Sequence, residues 1–380
     1  MEINIIKEKA KLNNLIVKGN DIFEGYRDSD DDFYMNAFIF SDENKTLKPI
    51  LEDQIILSQV KIYNAIWNSR DIYYASYFEI DPGIIQIHKY NVSEEKDEIF
   101  ISIFDNFDIS DPEGRLKVFI LSNSHALVQY EKLNREKTNE LMGNIEFSLK
   151  LYNAEKYEDS VIEFTDFKNN GINSIIPCND SKIMIKTGYS YLDDNRSEKD
   201  EESEALIESV YITTTSLFVS ELQQKTGSNI LDLLISTYYT KHITTPKIDG
   251  DYIHFSVVDA KNGSERSYFY NFNTGEQLEY ETDDIDDEDK NITCVIDNVP
   301  YVRISKNDVV NFINLKTAEV SFSFFDEVFV YHKNKLFFLK PKSSPKKTRI
   351  YSYPKLKLEY EGKMNVDKVV CIDDRYYVYI

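Results

Sequence analysis

Cysteine is scarce in this chain of 380 residues: Cys178, Cys294 and Cys371 are odd in number and far apart. A secreted disulfide scaffold has closely spaced, even-numbered cysteines, so a reduced, cytoplasmic setting is expected instead. Glycine numbers only 12, which excludes repeats built on glycine patterns. No run of about 18 uncharged apolar residues occurs, so no membrane-spanning helix is expected. Near the first residue, Glu2, Lys7, Glu8 and Lys9 interrupt any apolar leader segment, and no signal peptide is expected. Catalytic signatures are missing too. There is no glycine-rich phosphate loop, Gly-x-Ser-x-Gly elbow, His-Glu-x-x-His or Cys-x-x-Cys. Basic charge is the minority, 44 Lys and Arg against 66 Asp and Glu, for a net charge of -22. Electrostatic grip on nucleic acid is therefore not expected, and binding to an anionic membrane is disfavoured.

What the chain does have is aromatic and β-branched residues. With 27 Tyr and 23 Phe, it is rich in side chains that suit a pleated, half-buried surface. One pattern recurs seven times: a short apolar strand, a polar turn, then a strongly apolar strand. The turns fall at Asn68, Asn123, Asn179, Asp249, Asp297, Lys333 and Asp373, and successive turns are 36 to 70 residues apart. Between them lie alternating hairpins that turn near Asn44, Ser93, Ala154, Thr226, Asn273, Thr317 and Pro354. A four-stranded propeller blade takes about 40 to 50 residues. Apolar inner strands such as Leu336 to Leu339, and charged outer ones such as Lys355 to Tyr360, match blades stacked face to face with protected edges.

Across residues 33 to 380 this pattern resembles the β-propeller superfamily, without the Trp-Asp and Gly-His signatures of WD repeats or the paired glycines of kelch blades. The resemblance implies an all-β chain in a single domain spanning residues 1 to 380. It would be a seven-bladed β-propeller closed by pairing of N-terminal and C-terminal strands. In that closure Val369 to Ile380 would supply the inner strands and Phe33 to Leu51 the outer strands of one blade. Residues 1–32 would be an N-terminal extension or extra strands. If Asn14 to Tyr26 forms a further inner hairpin, the alternative is an eight-bladed ring.

The candidate functional residues are few. His88 and His254 lie in apolar strand patterns, and His125 and His332 lie at or beside turns, so packed or surface roles are expected for them. The cysteines fall on or beside predicted innermost strands, but three ligands at unequal offsets make a poor structural zinc site, and no metal or cofactor is expected. Acidic runs at 28–32, 193–202 and 283–289 lack the spacing of a calcium loop. The acidic insertion at 192–207 is the longest, and Tyr189, Tyr191, Asp193 and Asp194 are the candidate contact residues for a protein partner, a basic one by charge. Two functions follow. The first is a non-enzymatic protein-interaction scaffold with an acidic surface. The alternative is a hydrolase or lyase with a carboxylate-rich site at the central channel. Mimicry of nucleic-acid charge is a third reading, motivated by acidity alone.

Overall fold

A computed structural model of the chain describes residues 3–6, 14–18, 22–29, 32–41, 46–55, 57, 59–78, 83–104, 114–134, 144–156, 158–162, 171–188, 208–224, 232–237, 241–259, 261–282, 292–306, 309–325, 327–332, 335–341, 347–363, 368–372 and 375–379. The described residues are nearly all β, in small sheets that follow one another along the chain. Seven of these sheets lie within residues 14–55, 72–103, 114–162 with 60–64, 172–237, 241–282, 292–325 and 327–363. An eighth joins Lys368–Ile372 and Arg375–Tyr379 to Ile3–Ile6. No described helix is long and apolar enough to cross a membrane.

The core consists of contacts between consecutive sheets. Met35, Ala37 and Leu51 pack on Ile72. On the other face of that next sheet, Ile85, Ile87 and Phe100 meet Val118, Ile120 and Val128. Phe119 and Leu127 then meet Ile175 and Ile185, and Met184 and Val210 meet Ile253 and Phe255. Tyr252 and Phe269 reach Val295, and Phe312 and Phe322 reach Tyr351 and Tyr353. Each sheet thus buries alternate side chains on opposite neighbours, as the two-residue period of a strand requires. The expected apolar character of inner strands has this cause.

The turns carry a shared device. Asn91, Asn153 and Asn271 each accept two backbone N–H groups with Oδ1, as from Asn273 and Thr274 at 3.0 and 2.9 Å in the last case. Asn314 accepts one, from Lys316 at 2.8 Å. An asparagine that ends a strand in this way fixes the turn locally, which is why these hairpins are legible from sequence.

Three expectations need correction. The hairpin expected at Asn68 does not form: Val60–Asn64 pairs in parallel with Gly114–Ile120 of the following sheet. Its side chains explain this. Val60 and Ile62 join one core cluster, while Tyr63 and Ala65 join the next, so the strand needs apolar cover on both faces. Second, a helix, Thr215–Gln224, stands in the connection expected to turn near Thr226. Thr214 caps it by accepting the Leu217 N–H at 3.3 Å, and Phe218 and Leu222, four apart, are fully buried on the core. Third, strand Asp32–Ser41 pairs with Ile22–Ser29, and that strand pairs with Asn14–Lys18. The Phe33 to Leu51 hairpin therefore has its own inner strands and is not the partner of the last residues. Arg375–Tyr379 pairs instead, in parallel, with Ile3–Ile6.

Candidate functional site

Two groups of polar side chains stand out, and the first, which is buried, joins sheets. Lys117 and Glu131, both nearly inaccessible, form an ion pair at 2.6 Å. Gln129 donates to Glu131 at 2.6 Å and exchanges two hydrogen bonds with the backbone of Ile172 in the next sheet, at 2.9 and 2.7 Å. One sheet further on, Glu208 accepts the Ile243 N–H at 2.6 Å and faces Lys186 at 3.7 Å and His242 at 3.2 Å. Burial pushes the Glu208 carboxyl up, but the contacts with His242, Lys186 and the Ile243 amide outweigh it and hold the pKa below the usual value. Lys117, Gln129 and Glu131 satisfy one another and the Ile172 backbone, whereas Glu208 Oε1 and His242 Nδ1 have ion-pair contacts but no hydrogen bond.

The second group lies in the three-stranded sheet of residues 72–103. Strand Ile72–Phe78 turns Tyr73 and Ala75 to the core shared with the following sheet, and Tyr74 and Ser76 to the face whose Ile72 and Tyr74 pack on the preceding sheet. Register places Tyr74 opposite His88 and Ser76 opposite Gln86, so His88 shares that face. Asp97 arrives there through a bulge. Ile87 pairs with Ile101, but His88 pairs with Ile99, leaving Phe100 as the extra residue, buried in the core. Unbroken pairing would set Asp97 opposite Asn91 and turn it to the core face. The bulge shifts it by one, opposite Tyr90, and brings it to the histidine.

The result is a chain of contacts across three strands. Ser76 Oγ lies 2.8 Å from His88 Nε2, and His88 Nδ1 lies 3.2 Å from Asp97 Oδ2. A single neutral tautomer serves both contacts: Nδ1–H donates to the carboxylate and Nε2 accepts the serine proton. Tyr74 OH donates to the same Asp97 oxygen at 2.9 Å, and its ring stacks on the imidazole with centroids 4.7 Å apart. Burial, reinforced by the hydrogen bond and charge of Asp97, raises the Tyr74 pKa and keeps it a donor. The His88 side chain is 16% exposed and that of Asp97 40%, so the hydroxyl, base and orienting acid stand at an accessible edge. A hydroxyl within reach of a base held by a third group is the arrangement that activates a nucleophile.

His88 was legible as a strand histidine, but its partners were not, because Ser76 and Asp97 meet it only through register and a bulge. The residues expected at the contact loop, Tyr189, Tyr191, Asp193 and Asp194, lie outside the described residues, as do 283–289. Burial pushes the Cys178 and Cys294 thiols up to about 12, which makes both poor nucleophiles. Among the described residues no three His, Cys, Asp or Glu side chains converge as a metal site.

No protein-family model matches the chain, and no curated protein matches it. Solved structures do match. Dipeptidyl peptidase 4 of Porphyromonas gingivalis has a TM-score of 0.54 at 9% identity, over 94% of this chain and 53% of that one. A post-proline cleaving enzyme from Rickettsia typhi has a TM-score of 0.44 at 8% identity, over 90% and 49%. The Cps50 (Swd1) β-propeller domain of Myceliophteria thermophila has a TM-score of 0.36 at 7% identity, over 93% and 100%. The succession of small sheets resembles a β-propeller, and no specific family is indicated. The chain spans about half the length of the peptidases it resembles.

The expectation of a non-enzymatic interaction scaffold is corrected here. It rested on a repeat fold without catalytic motifs, and the dipeptidyl peptidase with which the chain shares a fold is named as an enzyme. Of the two readings drawn from the sequence, the hydrolase fits these findings better.

Proposed function

We propose that the chain is a hydrolase that works by acyl transfer, with Ser76 as nucleophile, His88 as general base and acid, and Asp97 as the group that orients the histidine. The observation that carries this is the 2.8 and 3.2 Å pair of contacts through one imidazole. Ser76 Oγ bonds to the carbonyl carbon of an ester or amide as its proton passes to His88 Nε2. The bond to the leaving group breaks as His88 returns that proton to the departing oxygen or nitrogen. Water then attacks the acyl-serine, giving its proton to His88, and the carbon–Oγ bond breaks as Ser76 regains a proton. A fold in common with a dipeptidyl peptidase supports a substrate of this kind, and the net charge of -22 favours a neutral or basic one. Purified protein should take up one fluorophosphonate label per chain, located on Ser76 by peptide mass spectrometry, and should hydrolyse p-nitrophenyl acetate. Ser76→Ala and His88→Ala should lose both while melting at the native temperature. Labelling that survives Ser76→Ala, or no labelling of the native protein, would overturn the reading.

We propose further that the eight sheets are blades of one ring, closed where Ile3–Ile6 runs beside Arg375–Tyr379. The succession of cores between consecutive sheets and the parallel pairing of Ile5 with Val378 support this. With the native cysteines replaced by serine, Ile5→Cys and Val378→Cys should form a disulfide in folded protein and none in urea, since paired strands lie within the reach of that bond. Failure to form it under native conditions would sink the ring.

A further inference from the structure

The face that carries Ser76 is not uniformly polar. Phe78, two residues along the same strand, is 46% exposed, and register places it opposite half-buried Ile84. Ile99, opposite His88 on the outer strand, is 49% exposed. Two of the exposed large apolar side chains among the described residues therefore flank the same serine and histidine. On this sheet the cations are engaged: Lys89 meets Asp71 at 3.3 Å, and Lys96 meets Glu98 at 3.1 Å. Asp97 and Glu98 add negative charge beside the relay.

The geometry points to an uncharged, apolar acyl group as the substrate of Ser76, seated against Phe78 and Ile99. This rests on the hydrolase reading and names its substrate class. Bringing apolar surface onto these side chains removes both partners from water, whereas an anionic acyl group would meet carboxylates without a matching cation. The bulge has a second effect in this picture: the shift that aims Asp97 at His88 also turns Ile99 to the reactive face.

The test is a series of p-nitrophenyl esters: acetate, butyrate, hexanoate and hemisuccinate. Expected is a rise in kcat/KM of about tenfold from acetate to hexanoate, through a lower KM, with the hemisuccinate at or below acetate. In a Phe78→Ser, Ile99→Ser protein with native circular dichroism and melting, the hexanoate-to-acetate ratio should fall to near one. Turnover that depends on Ser76 but shows no preference for hexanoate, or a preference that survives the double substitution, would overturn this inference alone. Absence of any Ser76-dependent turnover would overturn both the inference and the hydrolase reading.

Discussion

Glu131→Ala should cost about 3 to 5 kcal/mol of folding stability, because it strands a buried ammonium. Lys117 and Glu131 are each only 6% exposed and lie 2.6 Å apart. Burial lowers the Lys117 pKa, and Glu131 is the chief group opposing that effect. Without it, Lys117 keeps the Ile172 carbonyl at 3.4 Å, and Gln129 loses its carboxylate acceptor. The interface with the next sheet then holds a buried ammonium beside Phe119, Leu127 and Ile172 without its carboxylate. Removing both charges is a different matter. Lys117→Met with Glu131→Leu should recover most of the loss, since burying the pair costs each ion its hydration. Urea unfolding of both single variants and the double one closes the cycle. A Glu131→Ala protein within 1 kcal/mol of native would mean that water reaches this interface.

His254 should make the fold acid-sensitive between pH 6.5 and 4. Burial lowers its pKa from 6.5 to about 4, with the nearby charge of Lys247 acting in the same direction. The imidazole stacks on Phe269 with centroids 4.4 Å apart and shares a hydrogen bond with Thr293 Oγ1 at 2.7 Å. The folded protein therefore holds it neutral at a pH where the unfolded chain protonates it. Stability from this source is complete above pH 6.5 and drains away as the pH falls to 4, by roughly 3 kcal/mol. Carboxylates titrate in the same range, so the comparison is with His254→Gln, which keeps a polar partner for Thr293 and cannot titrate. The difference between the two unfolding free energies should change across this window. If it stays constant from pH 7 to 4.5, the histidine titrates alike in both states.

The parts of the fold written in local residues were legible, and those written in long-range pairing were not. Asn153, Asn271 and Asn314 fix their own turns through bonds two or three residues away, so their hairpins show in the sequence. Val60–Asn64 reads as half of a hairpin because its true partner lies beyond an entire sheet. The segment Thr215–Gln224 reads as strand and turn because its first six residues include Thr, Ser, Phe and Val. Its signal was Phe218 with Leu222 behind a threonine cap. Arg375–Tyr379 pairs away from its expected partner for the same reason as Val60–Asn64: nothing near it in sequence names Ile3–Ile6. The candidate site was the least legible. Ser76 and Asp97 are ordinary strand residues until register and one bulge set them about His88.

The two parallel pairings also place the fold in time. As the chain leaves the ribosome, Val60–Asn64 has no partner until residues 65–113 have followed and Gly114–Ile120 emerges. Ile3–Ile6 waits for residues 375–379. At roughly 5 to 20 residues per second, the first wait lasts seconds and the second a good part of a minute. Through both intervals an unsatisfied strand edge is open to other chains, so the nascent protein must be shielded for longer than a chain of simple hairpins would need.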